Sequence, residues 1–292
     1  MKSWQWLAPA CLLCGLLACT EPPAPVAEPQ QFTRLVTLAP NLTELVFAAG
    51  AGENLVGVSA YSDYPPAALQ LPVIGDAFTV DQERLALLQP DALLVWESGT
   101  PAHVVDQLRR VGFHVEVIRT RSLDDVALAL IRIGELTGHA TEAEAEAGRY
   151  RAALQSMRAR YADAEPLRVF YQVSQRPLFT INGQHFLSEL IEICSGQNIF
   201  EDLDELAPTV DVEAIVARDP EVILASDEAG DDAFSEWQRW PNIAANRYGN
   251  HFLMPADEIG RATPRLLIAG EAVCKALATA RDNRGSLTET TG

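Results

Sequence analysis

Two glutamates, Glu83 and Glu213, occupy the same place in two copies of one sequence element. The first copy reads Thr79-Val80-Asp81-Gln82-Glu83 with Pro90 downstream, and the second reads Thr209-Val210-Asp211-Val212-Glu213 with Pro220 downstream. A carboxylate can move a proton, ligate a metal or recognise a cationic partner. The first two roles need companions: the chain has no G-x-S-x-G, H-E-x-x-H or P-loop pattern, and its five histidines are scattered without ligand spacing. Plain helix chemistry is the simplest role. In each copy Thr is a candidate N-cap and the acids fall in the first turn, where the helix dipole favours them by about 0.3–1 kcal/mol each. That effect accounts for acids in general but not for one glutamate placed identically twice. A second echo accompanies the first: Thr43-Glu44-Leu45-Val46 with Glu53-Asn54-Leu55 matches Ser188-Glu189-Leu190-Ile191 with Gln197-Asn198-Ile199.

The elements that carry these residues alternate. Short apolar runs such as Arg34–Ala39, Asn54–Ala60 and Ala92–Trp96 are separated by helical periods, a β-α-β rhythm that predicts an α/β fold with mainly parallel sheets buried under helices. From His139 the pattern changes to a stretch rich in Ala, Glu and Arg with one Gly, which predicts a single helix of roughly 33 Å. After it the alternation restarts. Two Rossmann-like lobes, 33–138 and 164–280, are therefore expected on either side of a rigid linking helix over 139–163, with a polar, disordered tail over 281–292.

At 292 residues with 48% hydrophobic content, the chain can bury two cores. Its 22 basic and 40 acidic residues, net charge −18, repel phosphate backbones and exclude nucleic acid as a partner. The first 18 residues, with one Lys and a short apolar run, read as a secretory signal peptide, too short to span a bilayer. Leu16-Leu17-Ala18-Cys19 resembles the lipobox of bacterial lipoproteins, which implies lipidation of Cys19; simple cleavage to a soluble protein is the alternative. Thr20 after Cys19 points to outer-membrane retention. Residues 19–32 are Pro-rich without apolar period and read as an extended tether reaching at most ~40 Å. Cys11 and Cys14, a C-x-x-C, fall inside the segment to be removed. Of five cysteines, Cys194 and Cys274 remain in the body, where an oxidising compartment favours a disulfide; two buried thiols are the alternative.

Lobes joined by one long helix, the stretch Arg34-Leu35-Val36-Thr37-Leu38-Ala39-Pro40, and Val56-Gly57-Val58-Ser59-Ala60-Tyr61-Ser62-Asp63-Tyr64-Pro65-Pro66 together resemble the helical-backbone class of periplasmic substrate-binding proteins. These serve ABC importers of vitamin B12, haem and ferric siderophores, and the second stretch is most similar to the cobalamin-binding branch. The resemblance implies a monomer in the periplasm that needs no cofactor, catalyses nothing, and carries a corrinoid in a cleft between lobes. It implies that Glu83 and Glu213 dock on a two-fold permease dimer, and that Cys194 and Cys274 are bridged. Tyr61, Trp96, Phe179, Asp257 and Arg261 are the candidate cleft residues, since aromatic faces and a few polar groups suit a broad ring edged with amides. For Trp96 the competing role is core packing, and for Asp257 with Arg261 a surface i, i+4 pair worth ~0.3–0.5 kcal/mol. Ala77 and Ala207 stand where cobalamin binders often carry Trp, with Phe78 a possible substitute; haem or a siderophore is thus the alternative ligand. A two-lobed chelatase and a lipoprotein that merely sequesters its ligand are further alternatives.

Overall fold

The structure is a computed structural model and describes residues 31–290 apart from 77 and 231, with side chains to 286. Cys19, the signal segment, most of the tether and Ala77 lie outside the described residues. The first lobe runs β1 (Leu35–Thr37), α1 (Pro40–Ala48), β2 (Leu55–Gly57), α2 (Gln82–Leu88), β3 (Ala92–Trp96), α3 (Ala102–Arg110), β4 (Val115–Ile118) and α4 (Leu123–Thr137). Helix α5 (Ala140–Tyr161) follows. The second lobe comprises β5 (Leu167–Gln172), the hairpin β6 (Ser174–Gln175) and β7 (Leu178–Phe179), α6 (Phe186–Ile193), β8 (Gly196–Asn198), α7 (Val212–Arg218), β9 (Val222–Ser226), α8 (Ala244–Tyr248), β10 (His251–Met254), α9 (Ala256–Gly260) and α10 (Leu266–Thr290).

Both four-stranded sheets are parallel throughout, ordered β2-β1-β3-β4 and β8-β5-β9-β10. Each places its second strand outside its first, then its third and fourth on the other side. The echo in the sequence is thus an echo of topology, and it extends to fastenings no sequence motif announces. Arg34 Nε donates to Gln89 O at 3.1 Å and the Arg34 amide to Asp91 Oδ2 at 3.0 Å. In the second lobe Arg168 Nε donates to Asp219 O at 2.9 Å and its amide to Glu221 Oε2 at 3.0 Å. Gln89 and Asp219 both turn left-handed, at φ 47° and 44°, to end α2 and α7.

The buried residues of α5 are Ala143, Ala147, Tyr150, Leu154 and Met157, spaced alternately four and three apart, so one narrow stripe faces inward. Ala143 approaches α4 at Gly134, where an added Cβ would lie 2.4 Å from the Ala143 methyl. The stripe belongs to one continuous core with residues of α1 and α4 on one side and of α6 and α10 on the other, so the linking helix is packed against both lobes.

Three expectations are corrected. The tail after 280 is helical to Thr290, because its polar residues are fasteners: Arg281 Nε donates to Glu165 O at 2.6 Å and Arg284 Nη1 to Glu221 Oε1 at 3.0 Å. Phe32, assigned to the tether, is buried, and Asn54 Nδ2 donates to its carbonyl at 2.9 Å. The N-caps of α2 and α7 are Asp81 and Asp211, which accept from the Arg84 and Ala214 amides at 2.9 and 2.7 Å. Thr79 and Thr209 are held instead in short extended pairings, Asp76 N donating to Thr79 O and Thr209 bridging Phe179.

Candidate functional site

Open α/β sheets bind ligands beyond the carboxyl ends of their strands. Here the segment after β2 meets the segment after β10, so these edges of the two lobes converge. Tyr61 lies just beyond β2 with φ 65°, a left-handed conformation that costs a bulky residue energy, and its side chain is 81% exposed. Its carbonyl accepts from Arg261 Nη2 of the second lobe at 3.3 Å. The same guanidinium donates to Asp63 Oδ1 at 2.6 Å and to Glu44 Oε1 at 2.9 Å, and pairs with Asp257 Oδ1 at 3.0 Å. Arg261 is only 15% exposed in its side chain. Burial alone would lower its pKa, but the hydrogen bonds it donates to Asp63 and Glu44 more than offset this and raise it. In turn the Arg261 hydrogen bond holds the Asp63 carboxyl below the usual carboxylate range.

Among the five candidate residues, Tyr61, Asp257 and Arg261 therefore come together. The i, i+4 pairing of Asp257 and Arg261 is present, with Asp257 on α9 and Arg261 in the extended residue that ends it, and it forms one arm of a cross-lobe cluster. Trp96 ends β3 half-buried; its Nε1 donates to Thr120 Oγ1 at 2.9 Å, and its ring lies so close over Gly99 that a Cβ there would be 2.2 Å away. It is a packed wall with its polar edge already used. Phe179 is half-buried in the β6–β7 hairpin, bridged to Thr209 beside the second rim element rather than on a strand-to-helix loop. Phe78 is exposed, as is Ala207 in the turn before α7.

Sequence reading missed two features. One is a polar depression of about 510 Å³ at the ends of β5 and β9, lined by Gln175, Arg176, Ser226, Glu228 and Ser235 among others. Glu44 is the other: on α1, with a side chain 3% exposed, it accepts from Arg261, from Arg265 Nη1 at 3.1 Å and from Thr263 Oγ1 at 3.0 Å, all in the second lobe. Its counterpart in the second echo, Glu189 on α6, reaches the opposite way and accepts from the Leu123 amide of α4 at 3.0 Å. The signal was the Thr-Glu-Leu and Ser-Glu-Leu repeat, whose glutamates are reciprocal cross-lobe contacts.

The two are not equally satisfied. Burial pushes the Glu189 carboxyl up, and the Leu123 amide only partly opposes it. A carboxylate whose folded pKa is raised costs stability above that pKa and costs nothing below the unfolded value, about 4.3. Glu189→Gln keeps an acceptor for Leu123 and removes the charge. It should raise the melting temperature at pH 8 and lose that advantage as the pH falls below 4.3; equal gains at both values in scanning calorimetry would refute it.

At the rim, Glu83 and Glu213 are exposed in the first turns of α2 and α7. The arginines of these helices are engaged elsewhere, Arg84 near Asp81 at 4.0 Å and Arg218 with Asp202 at 2.7 Å, which leaves the glutamates as matched negative points on equivalent corners of the lobes.

Two matched parallel-sheet lobes on a shared helical layer, with strand ends converging on a cleft, define a two-lobed solute-binding protein. The sequence matches the periplasmic binding protein family over residues 35–258, and the chain belongs to that family. It is 35% identical to the vitamin B12-binding protein of Vibrio cholerae serotype O1 (strain ATCC 39541) over 274 residues, 92% of this chain and 99% of that relative. The crystal structure of the periplasmic vitamin B12-binding protein BtuF of Vibrio cholerae superposes with a TM-score of 0.79 at 34% identity, covering 87% of this chain and 99% of that one. The periplasmic haem-binding protein BhuT shares the fold, with a TM-score of 0.75 at 23% identity over 85% and 98% of the chains.

Proposed function

We propose that this protein captures cobalamin or a closely related corrinoid between its lobes and delivers it, chemically unchanged, to the permease of an ABC importer. The observation that carries the reading is similarity along the whole length to a relative named for vitamin B12, 35% over 92% of the chain. The convergence of Tyr61, Asp257 and Arg261 supports it: one exposed ring for the corrin face, with charged and carbonyl groups for its amides. Trp96 and Phe179 act as flanking surfaces. Glu83 and Glu213 act as the docking points on a monomeric carrier, and Cys19 carries the lipid anchor on the periplasmic side of the membrane.

Titration of the purified protein with cyanocobalamin, haem and a ferric siderophore, read by calorimetry, tests the ligand. Submicromolar cyanocobalamin binding, below a Kd of about 1 μM, is expected, without measurable haem binding; tight haem binding alone would move the protein to haem transport. The anchor is checked separately. Cys19→Ser should shift the protein from the membrane to the soluble fraction, and a wild-type protein already soluble and starting elsewhere would rule out lipidation.

A further inference from the structure

We infer that Glu44 is a positioning residue of the ligand cleft, holding Arg261 and Arg265 of the second lobe and, through Arg261, the left-handed Tyr61 of the first. Glu44 is a single carboxylate beneath a cluster of cations, not a group offered to the ligand. Oε1 accepts from Arg261 at 2.9 Å and Arg265 at 3.1 Å, and Oε2 accepts from Thr263 at 3.0 Å. Both guanidiniums then reach the loop that carries Tyr61. Arg261 bonds the Tyr61 carbonyl and Asp63, while the Arg265 guanidinium lies over the Tyr64 ring, 4.2 Å from its centroid. Glu258 also contacts Arg265, so that arginine is held from both sides.

Geometry and charge give the reason. A non-glycine residue at φ 65° stays there only when its surroundings hold it. The turn is closed within the first lobe by the Ser62 amide donating to Ser59 O at 3.3 Å, and the Tyr61 carbonyl is bonded from the other lobe by Arg261, whose one fully buried counter-charge is Glu44. Asp63 and Asp257 are each about half exposed, whereas Glu44 is buried, so Glu44 is the partner water cannot replace. The carboxylate thereby couples lobe-to-lobe geometry to Tyr61, the more exposed of the two rings in the convergent cluster. Its repeat counterpart, Glu189, meets a backbone amide and no arginine in its cross-lobe contact, so the coupling is built on one side of the pseudo-symmetric pair.

The inference rests on the corrinoid being held at Tyr61 and Arg261, and a double-mutant cycle on the full chain tests it with cyanocobalamin as the probe. Glu44→Gln is expected to weaken affinity about tenfold, and in a Tyr61→Ala background to cost no more than about twofold further, because the two changes act through one contact. Hydrogen exchange at the Tyr61–Asp63 amides should quicken while the β3 amides stay protected. Should Glu44→Gln fold poorly, Thr263→Val, which removes the bond to Glu44 and the one the Arg265 amide makes to the same hydroxyl but no charge, should show the same non-additivity at smaller size. Equal losses with and without Tyr61, or unchanged affinity in a folded Glu44→Gln, would overturn the positioning role while leaving cobalamin binding intact. Absence of cyanocobalamin binding by the wild-type protein would overturn the ligand reading and this inference with it.

Discussion

Glu83→Ala with Glu213→Ala in one chain should leave cyanocobalamin affinity within about twofold of wild type and reduce uptake by two orders of magnitude or more. The size follows from interface electrostatics: removing one partner of a desolvated charge pair costs about 2–5 kcal/mol, and two such pairs lie far enough apart to add. Each single variant should retain intermediate transport. The rim glutamates stand on α2 and α7, away from the Tyr61–Arg261 cluster, so ligand affinity has no route by which to change. Their other role, complementing the helix dipole, is worth only about 0.3–1 kcal/mol each and would appear as a small fall in melting temperature. Normal uptake with that small fall would reduce both residues to helix chemistry. Weakened binding with normal uptake would contradict docking outright.

Loss of the Cys194–Cys274 bridge has the largest expected effect on stability. The bond joins the end of α6 to the middle of α10 with Cα atoms 4.7 Å apart and closes a sequence separation of 80 residues. In the chain-entropy model a loop of that size contributes about 4.5 kcal/mol, which for a body of this length corresponds to a fall on the order of 10 °C. Cys194→Ala with Cys274→Ala, or the reduced protein, should therefore melt well below wild type while still binding ligand, because the bridge lies in the helical layer and not at the strand ends. Both sulfurs are fully buried, so reduction should be slow until the second lobe opens. A melting curve unmoved by complete reduction would show that the denatured chain is already restrained there.

Much of this molecule is legible in its sequence. The alternation of apolar runs with helical periods specified two parallel sheets, since strands buried on both faces must be uniformly apolar. The Ala- and Glu-rich stretch specified α5 to within a few residues at each end. What could not be read were partners distant in sequence. Arg281 and Arg284 looked like a polar tail because composition does not show that Glu165 and Glu221 wait for them. Thr209 looked like a cap because nothing local shows its extended pairing with Phe179. Asp257 and Arg261 were recognisable as an i, i+4 pair, but not as one arm of a cluster reaching Glu44 and Asp63.

The sequence by itself determined the duplication: the repeated Thr-Val-Asp and Thr/Ser-Glu-Leu elements dictate equivalent helices in each lobe, the first pair capped alike by Asp81 and Asp211, because capping and periodicity are local and act alike wherever they recur. Tertiary structure alone decided how the two copies differ. Once the lobes pack on a common helical layer, Glu44 meets two arginines and a threonine while Glu189 meets a backbone amide, and the carbonyl of the left-handed Tyr61 is bonded from the other lobe. Ion pairs and burial depend on distance in space rather than along the chain, so the same motif becomes a clamp in one lobe and a lightly bonded, burial-strained carboxylate in the other.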